Sequence, residues 1–115
     1  MRLTTDFWVS ALLRRVFSEG GFGAILRRGA TEAGAVFVIS RNRLGETILL
    51  GPAPQSTYEG DHPDERYFSN LASDVDAEAI DRRLEKEQRF DSDRWVVEIE
   101  PGSSGLEELL KIRTP

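Results

Sequence analysis

The run Val36-Phe37-Val38-Ile39 constrains the fold more than any other part of the sequence. Successive residues of a β-strand point to opposite faces, so four large apolar residues in a row make a strand hydrophobic on both faces. Such a strand, here within Ala35–Arg41, needs cover above and below and is expected in the interior of a sheet. The β-prone runs Phe22–Arg28 and Glu46–Leu50 predict antiparallel neighbours, joined to it through short turn-forming segments.

The segment Thr5–Glu19 has the apolar spacing of a helix. We expect Thr5 or Asp6 to accept hydrogen bonds from the first turn, and Gly20-Gly21 to end the helix. The apolar arc is broad, so the helix is either deeply buried or shared with a second subunit, and we favour burial. The residues of this arc are Trp8, Val9, Ala11, Leu12, Leu13, Val16 and Phe17.

The second half of the chain begins with a long loop. Residues 52–65 are rich in proline, glycine and acidic residues and predict a flexible segment. A short strand at Arg66–Ser69 and a peripheral helix at Asp74–Arg89 follow, and Arg94–Glu100 alternates as a half-buried strand with Trp95 on its apolar face. For the tail, residues 101–115, the pattern does not decide whether it packs on the domain.

These elements predict one α+β domain spanning residues 1–115. Its expected architecture is a small antiparallel sheet of four to five strands with two helices packed mainly on one face. With 39% hydrophobic residues in a chain of 115, there is enough apolar material for one core, so disorder is not expected.

The chain contains no cysteine, which excludes disulfides, thiolate metal sites and cysteine nucleophiles and suits a reducing compartment. Near the N-terminus, the apolar stretch Phe7–Leu13 is short, ends at Arg14-Arg15 and is not followed by a cleavage-site pattern. These features predict a soluble, cytoplasmic protein with neither a signal peptide nor a membrane span.

Charge is unevenly distributed along the chain. Residues 1–50 carry seven Arg against four acids, or +3, whereas residues 51–115 carry eight basic residues against sixteen acids, or −8. Such asymmetry is typical either of a polar partner surface or of charges that simply coat solvent-facing surfaces. We favour the second interpretation, because the sequence does not place the two halves on opposite sides of the fold.

Arginines cluster on the first helix, at the end of the first strand and around the end of the second. If the helix packs beside the strands, these clusters converge into a fork that receives a phosphate, a carboxylate or a partner protein. The candidate contact residues, taken together with one aromatic residue of the long loop, are Arg27, Arg28, Arg41, Arg43 and Tyr58.

The single histidine, His62, lies among the acids Asp61, Asp64 and Glu65, so a general base or a site for a hard metal ion is conceivable there. Catalytic groups and ligands must be held by a rigid surrounding shell, and this loop has no apolar anchors. We therefore interpret it as a solvated loop and predict no catalytic residue, no metal and no cofactor.

Four blocks of the sequence resemble the short alphaproteobacterial proteins of the domain-of-unknown-function family DUF1491. The resemblance implies a bacterial protein of that family and brings no activity, substrate, cofactor or catalytic residue with it. The blocks are WVSALLRR (Trp8–Arg15), RRGATEAGAVFV (Arg27–Val38), GPAP (Gly51–Pro54) and RFDSDRWVVEIE (Arg89–Glu100).

The leading functional hypothesis is a non-enzymatic binding or protein-interaction module. Its partner is expected to be another protein, with a homodimer also compatible and a membrane partner excluded. The alternative is a small enzyme or a protein that binds a phosphate or carboxylate ligand through the arginine clusters. Nucleic-acid binding ranks third, because the net charge of the chain is −5.

Overall fold

The computed structural model describes residues 4–32, 34–53, 66–73, 76–88, 93–103 and 105–112. In these ranges, three helices surround one six-stranded sheet with the strand order β1-β5-β2-β3-β4-β6. The α+β class is confirmed, but the sheet has more strands and the fold more helices than predicted. In chain order the elements are α1 (Thr5–Ser18), β1 (Phe22–Arg27), β2 (Val36–Arg41), β3 (Thr47–Pro52), β4 (Tyr67–Ser73), α2 (Ala77–Gln88), β5 (Trp95–Glu100), α3 (Leu106–Leu109) and β6 (Lys111–Ile112).

The sheet is mixed, so the antiparallel prediction is wrong. β2 lies parallel to β5, with Val38 opposite Val97, and β4 lies parallel to β6. β1 pairs antiparallel with β5 and has no pairing with β2. β5 has taken the place beside β2 that was predicted for β1, because β5 is apolar and buried on both faces at Trp95–Val97 and so belongs in the interior, whereas β1 has exposed residues and forms an edge.

The helices cover both faces of the sheet, so the prediction of helices mainly on one face is also wrong. Val36 and Val38 of β2 belong to a core that contains residues of α1, whereas Phe37 and Ile39 belong to a second core that contains residues of α2. Because the side chains of β2 alternate between these two cores, a helix layer is needed on each face of the sheet. The α1 core holds Val9, Leu12, Val16, Leu50, Phe68, Val97 and Ile99, and the α2 core holds Leu49, Ile80, Leu84 and Val96.

The ends of α1 follow ordinary capping chemistry. Gly20 has a φ of 85° and follows the last turn, which confirms a glycine stop. The predicted N-cap is off by one residue, because the Thr4 hydroxyl accepts the Phe7 N–H at 3.2 Å while Thr5 is buried. Within the described ranges, no helix combines the length and apolarity needed to cross a bilayer.

The tail contributes to the fold. The α3 segment packs against α1, Leu110 is buried in the α1 core, and Lys111 and Ile112 form the edge strand beside β4. The long segment predicted at 52–65 begins in β3, at Pro52, and from residue 54 onwards it lies outside the described residues.

Trp95 is fully buried, and its indole Nε1 donates to the Ala30 carbonyl at 2.8 Å. We expect Trp95→Ala to lower the free energy of unfolding by about 3–5 kcal/mol, because the core around α1 and the loop before β2 both lose their contact. Urea denaturation followed by circular dichroism measures the loss. Leu44→Ala is the matched control, since Leu44 is 84% exposed, and should change stability by no more than about 0.5 kcal/mol. Equal midpoints for the two variants would contradict the assignment of Trp95 to the core.

Candidate functional site

Two of the predicted contact residues, Arg41 and Arg43, line the same groove of about 600 Å³. The groove lies where β2 and β5 end, and these strands are parallel, so their carboxyl ends meet at one edge of the sheet. Open α/β sheets commonly bind ligands at this edge. Glu46, Glu107 and the start of α3 complete part of its wall.

The turn between β2 and β3 is held by Asn42. Its side-chain Oδ1 accepts the Leu44 N–H at 2.9 Å and the Glu46 N–H at 3.0 Å, while its Nδ2 donates to Glu46 Oε1 at 2.7 Å. Gly45 adopts a φ of 84°, which suits the return of the chain into β3. Arg43 is therefore presented on a turn of defined shape.

The groove carries charges of both signs. Arg41 Nη2 lies 3.3 Å from Glu98 Oε2, and both side chains remain partly exposed. Arg43 has no ion pair within the part of the chain that the structure describes. Because Glu46 and Glu107 share the walls, the groove is a mixed polar surface rather than the positive fork that the sequence suggested.

Arg27 and Arg28 lie away from this groove. Arg27 lies opposite Val96 of β5, and Val96 lies opposite Phe37 of β2. Arg27 is therefore level with Phe37, four residues before Arg41, which corresponds to about 13 Å along the strand direction. A β1–β2 hairpin would not bring them together either, because Arg27 ends β1 and Arg41 ends β2, and antiparallel strands end at opposite edges of a sheet. The other predicted positions, Tyr58 and His62, lie outside the described residues.

Arg28 contacts Asp6 and Trp95 within the chain. Its Nη1 lies 2.7 Å from Asp6 Oδ1, and its guanidinium carbon lies 5.0 Å from the centre of the Trp95 ring. The ion pair is exposed and contributes little stability by itself. Stacking over the ring nevertheless fixes the guanidinium above the loop that precedes β2.

That loop crosses the amino end of β5 and is bound to it. Ala30 N donates to the Asp93 carbonyl at 2.9 Å, and Trp95 N donates to the Ala35 carbonyl at 2.8 Å. A Cβ on Gly29 would collide with the Asp93 carbonyl, so the backbones approach as closely as only glycine allows.

A second polar node, which sequence analysis missed, joins Thr5 and Arg66. Thr5 Oγ1 accepts Arg66 Nη2 at 2.6 Å and the Gly34 N–H at 3.1 Å. The Arg66 guanidinium carbon lies 5.5 Å from the centre of the Trp8 ring, and burial lowers the pKa of Arg66 below its ordinary value. No local pattern could reveal the pairing, because 61 residues separate Thr5 from Arg66.

Three of the exposed large apolar side chains lie on or beside β1, and we name these residues, Phe17, Phe22 and Leu26, the β1 edge patch. These side chains are 52%, 51% and 56% exposed, and the rings of Phe17 and Phe22 meet edge to face with centroids 6.1 Å apart. β1 is the terminal strand of the described sheet. Sequence analysis assigned Phe17 to the buried arc of the helix, and the structure corrects that assignment.

Metal ligands do not gather in the described ranges: no three histidine, aspartate or glutamate side chains come together there. The chemistry available in those ranges consists of arginine–carboxylate pairs, hydroxyl groups and apolar surface.

Comparison with known proteins gives consistent results. The profile of a family described as "Protein of unknown function (DUF1491)" matches residues 3–106. The solution structure of protein Atu0922 from A. tumefaciens is 47% identical, with a TM-score of 0.82, and the match covers 100% of this chain and 98% of that one. A crystal structure of a DUF1491 family protein from Caulobacter crescentus CB15 is 33% identical, with a TM-score of 0.75 and coverage of 96% and 99%. No curated protein matches the chain.

Thr5→Val keeps the shape of the side chain but removes the oxygen that Arg66 and Gly34 use. We expect the free energy of unfolding to fall by about 1–3 kcal/mol, because a half-buried guanidinium and a backbone N–H lose their acceptor. Urea denaturation compares this variant with Thr31→Val, in which the residue is exposed and accepts the Asp6 N–H only through its main-chain carbonyl. If both variants are equally stable, the node does not contribute to stability.

Proposed function

The chain belongs to the DUF1491 family of proteins of unknown function, and from that premise we propose that it is a non-enzymatic protein-interaction module. The surface that makes the contact is the β1 edge patch. Its occupant is an extended strand, which pairs with the backbone of β1 and covers Phe17, Phe22 and Leu26.

One observation carries the proposal. Five large apolar side chains are strongly exposed in the described residues; Phe17 and Phe22 of the β1 edge patch are in contact, and Leu26 lies further along β1, the strand that carries Phe22. These three residues border a six-residue strand at the edge of the sheet, whose outward N–H and C=O groups can pair with another chain. Addition of a strand to such an edge is a recurring mode of protein recognition, in which side chains give specificity.

The polar groups support a contact rather than catalysis. Arg28 is engaged by Asp6 and Trp95, Arg41 by Glu98, and Arg66 by Thr5. These arginines already have partners within the chain, whereas a catalytic group must remain available to a substrate. The lack of cysteine supports a cytoplasmic setting for the contact, where a disulfide would be reduced.

The double variant Phe22→Ser with Leu26→Ser should abolish partner capture by the purified, tagged full-length chain in a lysate of its native cell. Two apolar anchors are lost, and a loss of about tenfold or more in affinity is expected. The captured protein is identified and its affinity is then measured with purified components. Leu44→Ser is the matched control, because Leu44 is exposed at a distance from β1 in the turn before β3. Capture that survives the double variant contradicts the proposed surface.

A second candidate function is binding of a small anion in the groove. The observation in its favour is that Arg41 and Arg43 both line that groove at the carboxyl ends of parallel strands. Glu46 and Glu107 line it as well, which favours a small phosphate or carboxylate group over an extended polyanion such as nucleic acid.

Titration of the ¹⁵N-labelled protein with inorganic phosphate and with citrate tests this candidate. Amide shifts should concentrate in residues 40–46, and Arg43→Ala should weaken binding by about tenfold, because a charge-assisted hydrogen bond is lost. Arg14→Ala, which removes an exposed arginine of α1, should leave the affinity unchanged. Shifts that are equally reduced by both variants would indicate nonspecific attraction and would exclude the groove.

A further inference from the structure

We infer that the strand received by the β1 edge patch is β1 of a second copy of this chain, paired antiparallel about a two-fold axis that passes through Ala24. The inference rests on the interaction surface proposed above and names its occupant. Two six-stranded sheets then become one continuous sheet across the axis.

The first step concerns which face of the sheet each side chain of β1 occupies. Gly23 registers with Ile99 and Ile25 with Val97, and both partners belong to the α1 core. Because side chains alternate along a strand, the Cα–Cβ bond of Phe22 is directed to the opposite face, where α2 packs, while its ring also meets Phe17 of α1 at the open edge of β1. α2 covers Val96 but leaves Phe22 exposed, so β1 extends beyond the area that this helix shields.

Leu26 lies on the same face as Phe22. The register shifts between Ile25 and Arg27, so Leu26 is the extra residue of a β-bulge, and Arg27 registers with Val96. At a bulge two residues lie opposite a single residue, and their side chains point roughly to the same face of the sheet as that residue's side chain. Val96 belongs to the α2 core, which places Leu26 on the α2 face.

The second step is the register of two copies. A two-fold axis perpendicular to the sheet keeps the α2 faces of both copies on the same side, so only residues of one face can stand opposite each other. With the axis through Ala24, Phe22 of each copy stands opposite Leu26 of the other. The two exposed apolar residues of β1 thus cover each other, twice in one dimer.

The α1 face is compatible with the same register. Gly23 stands opposite Ile25 of the second copy, and the space above Gly23 is filled by Leu13, whose Cδ2 lies 2.6 Å from the position of an added Cβ. Leu13 and Ile25 are both partly buried apolar residues at the margin of the α1 core. Their meeting across the interface extends that core from one copy to the other.

The third step concerns charge. Glu19 lies before the start of β1, and Arg27 and Arg28 lie at its end. Within each copy, Glu19 is paired with Arg15 and Arg28 with Asp6. Antiparallel pairing places Arg27 and Arg28 of the two copies at opposite ends of the contact, so like charges stay apart although each chain has a net charge of −5.

The wild-type chain contains no cysteine, so one introduced thiol reports the geometry without background. In the Ala24→Cys variant, the two thiols face each other across strands whose Cα atoms lie about 4.5 or 5.5 Å apart, which is within the range of a disulfide. Mild oxidation should convert most of this variant into a covalent dimer on a non-reducing gel. Leu44→Cys, which exposes a thiol in the turn before β3, should remain largely monomeric and controls for random collision.

Sedimentation of the full chain across a concentration series provides the second measurement. Wild type should reach the mass of a dimer, while F22K/L26K and F22E/L26E should each associate about a hundredfold more weakly, because like charges oppose each other in the pair. Mixing the two variants should restore a dimer that contains one copy of each. That restoration requires positions 22 and 26 of the two copies to meet across the contact, and it also shows that both variants are folded, while the Ala24→Cys cross-link reports the register.

Three results would overturn the inference: a wild-type chain that stays monomeric, an Ala24→Cys variant that cross-links no faster than Leu44→Cys, or variants that fail to form the mixed dimer. The capture experiment on Phe22→Ser with Leu26→Ser separates this failure from that of the proposed function. If capture of a different protein depends on those residues in a monomeric chain, only self-pairing is wrong. If capture is also independent of them, both proposals are wrong.

Discussion

The parallel pairing of β2 with β5 is the constraint on which the rest of the structure depends. Both strands present apolar residues to both faces: Val38 and Val97 on one side, Phe37 and Val96 on the other. A sheet with such a centre cannot leave either face in water, since large apolar surfaces drive burial in proportion to their area. α1 and α3 therefore cover one face and α2 the other, and a chain of 115 residues forms three layers.

The same pairing determines the path of the chain between β1 and β2. Because β5 separates these two strands, the connection between them passes over the amino end of β5, which Ala30 and Ala35 contact, instead of making a hairpin. Gly29 approaches the Asp93 carbonyl, Ala30 accepts the indole of Trp95, and Gly34 meets Thr5. The loop thus joins α1 and β5, so elements that are distant in sequence are held together by main-chain groups that would otherwise be buried without partners.

Local chemistry made several elements predictable. The glycine stop at Gly20, the two-faced burial of β2 and the alternation around Trp95 follow from backbone freedom and periodicity, which neighbouring residues determine. Strand order did not follow, because the eight residues between β1 and β2 suit a hairpin as well as a crossing. The predicted convergence of the arginines is not observed: Arg41 and Arg43 are close through one turn, whereas Arg27 is level with Phe37, at the other end of β2.

The exposed edge is a consequence of this topology and of the breadth of the apolar arc of α1. Val9, Leu12 and Val16 belong to the core of their own chain, whereas Phe17 stays half-exposed and meets Phe22. The sequence left open whether so wide an arc is buried or shared with a second subunit. In the structure the arc is divided: Val9, Leu12 and Val16 pack in the α1 core, while Phe17 contacts Phe22 at the unpaired edge of β1. The apolar surface that the fold cannot cover is thus concentrated where a β-strand can still be added, so intermolecular pairing there would bury side chains and satisfy backbone groups together.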